Sequence, residues 1–153
     1  MSNKRTIRFW VVMILGILLL LMLILGQMMA FINYDFPVSI GLQESKDVIG
    51  ETGVAVNKGI GVGDTIIYLP LLVLGLIGLW LRRMWGVFMM ASALAITAYW
   101  PMASLFILLY ARGTPGFNFT NFASYTIILT SITLYGLWGL WYLYKNQKIL
   151  ANE

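Results

Sequence analysis

The sequence predicts an all-α integral membrane protein: a four-transmembrane-helix bundle, multi-pass, with both termini in the cytoplasm. Three observations predict it. Of 153 residues, 60% are hydrophobic and 10% charged, with a mean hydropathy of +0.84, a balance foreign to soluble domains. Four stretches are apolar enough to cross a bilayer, which takes about 20 residues. The Lys and Arg residues also gather at one set of helix ends, as cytoplasmic loops require.

The same composition excludes much chemistry. Cysteine and histidine are both absent, which removes thiolate–imidazole zinc sites, disulfides, bis-histidine haem and His-dependent acid–base catalysis. The formal net charge of +4 is spread over helix ends without a basic run interleaved with aromatics, so no nucleic-acid partner is expected. No catalytic residue, metal ligand or cofactor is assigned.

The first transmembrane helix spans about 9–30, because no charge interrupts Phe9 to Tyr34 and Phe9 to Gly26 is nearly continuous Leu, Ile, Val and Met. Lys4, Arg5 and Arg8 would suit a signal peptide. The apolar core, however, exceeds the roughly 7–15 residues of such segments, and Met28 is too large for the small position before Ala30. Residues 31–63 form the external segment, carrying Asp35, Glu44, Lys46, Asp47, Glu51 and Lys58. Alternation over Val38–Leu42 and Val54–Val56 allows a β-ribbon, and an interfacial helix around Gln43–Ile49 is equally open. The second helix covers about 64–81, with Asp64 as its N-cap or first-turn anion. Within it, Pro70 frees the carbonyl of Ile66.

After the Arg82–Arg83 turn the third helix runs over about 84–111, and Pro101 frees the Thr97 carbonyl. An external turn at 112–122 combines Arg112-Gly113-Thr114-Pro115-Gly116 with an aromatic interfacial stretch. The fourth helix spans about 123–144, leaving a cytoplasmic tail at 145–153. The whole chain, 1–153, reads as one membrane domain. Lys4, Arg5, Arg8, Arg82, Arg83, Lys145 and Lys148 fall on one side, against Lys46, Lys58 and Arg112 on the other. This places the termini inside, in a plasma or inner membrane. Trp10, Trp80, Trp85, Trp138 and Trp141 then lie at the inner interface, where amphipathic rings are favoured.

Gly75-Leu76-Ile77-Gly78-Leu79-Trp80 and Gly136-Leu137-Trp138-Gly139-Leu140-Trp141 are nearly the same word. With Arg8-x-Trp10-x-Val12 matching Arg83-x-Trp85-x-Val87, they suggest a parallel duplication of a two-helix hairpin.

Two functional expectations follow. The first is a non-enzymatic partner-binding subunit or scaffold acting through its external segment, with Asp35, Glu44, Asp47 and Glu51 as the partner-binding residues. Its partners would be membrane lipids and other membrane proteins or further copies of itself. The second is a binder or carrier of a lipid-like molecule in an outward-facing cleft between the second, third and fourth helices. Its residues would be Asp64, Tyr68, Thr97, Tyr99, Trp100, Ser104, Thr126 and Thr130. These hydroxyls, rings and one acid cluster in the outer half of the bundle, and Thr126, Thr130 and Thr133 fall at helical spacing. The same groups also serve as interhelical hydrogen-bonding glue.

Overall fold

Charge-free apolar runs in lipid must bond their own backbone, and only a helix does so within one segment. A computed structural model, which describes residues 5–151, accordingly contains four helices long and apolar enough to span a membrane. Lys4 and the last two residues of the tail lie outside the described residues.

Helix α1 is Ile7–Ile32. Thr6 caps it, its hydroxyl accepting the Phe9 amide at 3.2 Å. A short helix, α2, covers Asp35–Ser39. Helix α3 is Lys46–Trp80, and α4 and α5 are Met84–Tyr110 and Phe122–Leu150. The described part of the external segment is thus helix and turn, with no strand.

Helix α3 corrects the expected boundary at residue 64. After a first turn set off by Gly50 at φ 70°, the chain is helical through the glycine-rich stretch and past Asp64, which is mid-helix and caps nothing. At about 1.5 Å per residue its 35 residues outrun a hydrocarbon core of about 30 Å. Of the glycines in this stretch, Gly61 has a packing role. A Cβ on Gly61 would overlap the carbonyl oxygen of Gln27, so glycine lets α1 and α3 touch. The fourth span also exceeds its expected end, with Leu150 and Ala151 buried.

Two turns are widened to π-helix, Leu23–Met28 in α1 and Asp64–Tyr68 in α3, and they pack against each other. The second directly precedes Pro70. A proline inside a helix collides with the preceding turn, and a wider turn there relieves that collision.

The start of α1, the α3–α4 turn and the last part of α5 share one end of the bundle. The Arg5 guanidinium donates to the Trp80 carbonyl at 3.0 Å and lies 3.7 Å from the Trp80 ring centroid. The Thr6 and Tyr142 hydroxyls are 3.3 Å apart. The turn closes by Arg83 N–H to the Gly78 carbonyl and Arg82 N–H to that of Leu79, with Arg82 at φ 53°, a Schellman geometry. At the opposite end Asn118 N–H donates to the Val48 carbonyl at 2.7 Å. The core between the ends is built on Tyr68, Leu72, Leu79, Met90, Leu94 and Leu143.

Both Gly-Leu words pack on α4. A Cβ on Gly75 would stand 2.7 Å from the Met90 Cα, and one on Gly136 would stand 2.6 Å from the Ala98 nitrogen. An axis relating the hairpins α1–α3 and α4–α5 would instead turn Gly136 toward α1. The two words therefore hold non-equivalent places, and close approach to α4 accounts for both.

Candidate functional site

At the Asn118 end the helices part around a cavity of about 740 Å³. Trp100 and Ile107 of α4, Ile128 and Leu129 of α5, and Val56 and Ile60 of α3 give it largely apolar walls, with the Ser104 hydroxyl among them and Gln27 of α1 also in the lining. Residues 41–44, 49–53 and 114–117 form its roof. Glycine is needed in that roof. Gly41, Gly50 and Gly116 have φ of 74°, 70° and 80°, angles that side chains disfavour, and a Cβ on Gly50 would stand 3.2 Å from the Gly116 oxygen.

The roof is held by side chains from α3, α5 and the connecting segments. Tyr125 of α5 donates to a Glu44 carboxylate oxygen at 2.7 Å, and Tyr34 donates to the Glu44 carbonyl at 3.0 Å. Asn57 of α3 gives its amide to Gln43 at 2.8 Å and to the Tyr34 hydroxyl at 3.1 Å. Asn118 adds a side-chain bond to the Asp47 carbonyl at 3.0 Å. Lys46 pairs with Glu51. Burial raises the Tyr34 hydroxyl above its ordinary pKa, against the lowering effect of Asn57, so it remains a donor to Glu44.

A polar layer lies between the helices. The Thr97 hydroxyl donates to the Ala93 carbonyl at 2.8 Å, so in its 2.6 Å contact with Tyr68 it is the tyrosine that donates. Asp64 is 8% exposed. Its Oδ2, Gln27 Oε1, Trp100 Nε1 and Thr133 Oγ1 are buried without a hydrogen-bond partner among the described residues. Unbonded polar atoms in such surroundings are costly, and Gln27 and Asp64 lie within the two π-turns.

The structure divides the expected ligand-binding set. Trp100 and Ser104 line the cavity. Tyr68, Thr97 and Asp64 are buried between helices and do not line it. Tyr99, 73% exposed, faces outward on α4. Thr126 is exposed and bonds its own helix at the Phe122 carbonyl, and Thr130 is half-buried outside the lining. The Thr face of α5 is buried at Thr133 but open at Thr126. Helical spacing puts these residues on one face without saying how far along the helix that face stays covered.

The expected partner-binding acids do not form one patch. Glu44 and Glu51 line the cavity, whereas Asp35 is exposed at the start of α2 and Asp47 is exposed in the first turn of α3. Sequence reasoning missed Gln43, Asn57, Asn118 and Tyr125 as roof supports. Asn118 and Tyr125 do fall in or beside the stretch read as an aromatic interfacial segment.

A partly open cavity with largely apolar walls and a polar rim suits a molecule with an apolar body and a polar head. Comparison with protein-family models, with curated proteins and with solved structures finds no match for this chain.

Proposed function

We propose that this chain is a non-enzymatic membrane protein that binds a lipid-like amphipath at the outer membrane interface. The cavity carries this reading. Its volume lies within the roughly 300–1,000 Å³ of small-molecule sites, and its walls are largely apolar up to a rim of Gln43, Glu44, Glu51 and Asn57. We place the termini in the cytoplasm, because Arg5, Arg8, Arg82, Arg83, Lys145 and Lys148 belong to the end away from the cavity. The alternative of an external partner-binding segment has less to work with, since Glu44 and the Asp47 and Val48 carbonyls are engaged within the chain.

Native mass spectrometry after gentle extraction tests the reading. A stoichiometric lipid-like adduct is expected, and it should be lost when Ile60→Trp fills the cavity. A defined hetero-complex with no such adduct would overturn the reading in favour of a partner-binding subunit. Orientation has its own test, as the chain has no background thiol. Cysteine at Ser45 should react with an impermeant reagent only from outside, and labelling from inside would reverse the topology.

A further inference from the structure

The cavity's charge says which amphipath it takes. Its lining contains two carboxylates, Glu44 and Glu51, and no Lys or Arg. Three cations lie outside the lining, and one of them pairs with the lining's Glu51. Lys46 is paired with Glu51, Lys58 lies 5.9 Å from the Tyr34 ring centroid, and Arg112 lies 5.3 Å from that of Phe122. Glu44 has no cationic partner among the described residues. It is half-buried and accepts the Tyr125 hydroxyl, a bond that fixes the carboxylate without neutralising it. Asp64, buried between helices, adds no positive charge.

Resting on the amphipath reading, we propose that the cavity selects a cationic head, a protonated amine or quaternary ammonium, with Glu44 as its counter-ion and the apolar walls receiving its chain. Partial burial makes one unpaired carboxylate effective, because opposite charges attract more strongly away from bulk water. Tyr125 and Phe117, both in the lining, present rings of the kind on which ammonium groups settle. An anionic head would meet Glu44 with no cation to receive it. Fatty acids and acidic phospholipids are therefore selected against.

The test uses the full chain in phosphatidylcholine nanodiscs, with dodecylammonium, dodecanol and dodecanoate as probes of one chain length. Binding is read by native mass spectrometry and by the tryptophan fluorescence of the cavity. Dodecylammonium should bind about tenfold more tightly than dodecanoate, a preference of about 1.4 kcal/mol, with dodecanol between them. Glu44→Gln, whose amide oxygen still accepts from Tyr125, should remove most of that preference, whereas Asp35→Asn, the same change of charge outside the cavity, should leave it intact. Raising the salt from low to near-molar should narrow it in the unmodified protein, a reading that needs no variant. Equal or tighter binding of dodecanoate would overturn the charge assignment and leave the amphipath reading standing. The absence of saturable binding by any probe, or binding indifferent to Ile60→Trp, would overturn both.

Discussion

The same substitution, Gly→Ala, should change stability in opposite directions at two sets of positions in one chain. At Gly59 and Gly63 a new Cβ meets nothing within 4 Å, and both residues are exposed in α3. Alanine there gains the roughly 0.5–1 kcal/mol by which it is the better helix residue. At Gly75 the new Cβ stands 2.7 Å from the Met90 Cα, and at Gly136 it stands 2.6 Å from the Ala98 nitrogen. Ordinary contact begins near 3.4 Å, and in both places the obstacle is backbone that no rotamer change can clear. The helix axes must separate, which loosens neighbours as well packed as Met90 and Leu94, both fully buried. Overpacking of this kind costs roughly 1–3 kcal/mol. After the helical gain, Gly75→Ala and Gly136→Ala should each lose about 1–2 kcal/mol. Unfolding of all four variants, followed by circular dichroism in one detergent, measures the contrast. Equal shifts at Gly59 and Gly75 would refute the claim that α3 and α4 meet through their backbones.

Three further outcomes follow from the polar contacts. Tyr68→Phe should cost about 1 kcal/mol, a modest loss because the Thr97 hydroxyl keeps its bond to the Ala93 carbonyl; the same unfolding assay measures it. Asn118→Ala removes the side-chain bond to the Asp47 carbonyl and should speed amide exchange over residues 45–50 while leaving that of α4 unchanged. Asp64→Asn removes a buried carboxylate whose Oδ2 has no hydrogen-bond partner among the described residues. It should raise stability by about 1 kcal/mol or more, and a loss would show that the carboxylate has a partner.

The four spans and the sharing of bundle ends were legible because hydropathy and cation placement answer directly to the bilayer. The start of α3 was not legible. Gly59 to Gly63 reads as a helix breaker on propensities measured in water, but backbone groups entering lipid must bond within the chain, and Gly61 also admits the Gln27 backbone. Val54-Ala55-Val56, which allowed a strand, lies on this helix. Rings and hydroxyls around Pro101 stand out in an apolar helix, but of those picked out Trp100 and Ser104 line the cavity whereas Thr97 and Tyr99 do not, because the sequence does not say which side of the helix faces the gap. The pairing of Glu44 with Tyr125 joins residues far apart in the chain, and no local pattern announces it.

The position of the cavity follows from where the glycines are. Near the Arg82 turn Gly78 and Gly86 bring α3 and α4 into backbone contact, and Gly75 continues it against Met90. Helices packed at about 20° diverge from such a point, by roughly 10 Å over the ~30 Å of a hydrocarbon core. The residues record that widening. Past Gly75 the gap is bridged by the longest reach available, the Tyr68 ring, whose hydroxyl meets Thr97. Beyond Tyr68 the next buried positions toward the roof on α3 are Asp64 and Gly61, and neither can span the gap. The space between Ile60 and Ser104 stays open beneath the polar roof. Lengthening Gly61 would not fill it, because that residue faces α1, whereas Ile60 faces the void itself. That is why Ile60→Trp, rather than a change at either glycine seam, separates the loss of a ligand from the loss of the fold.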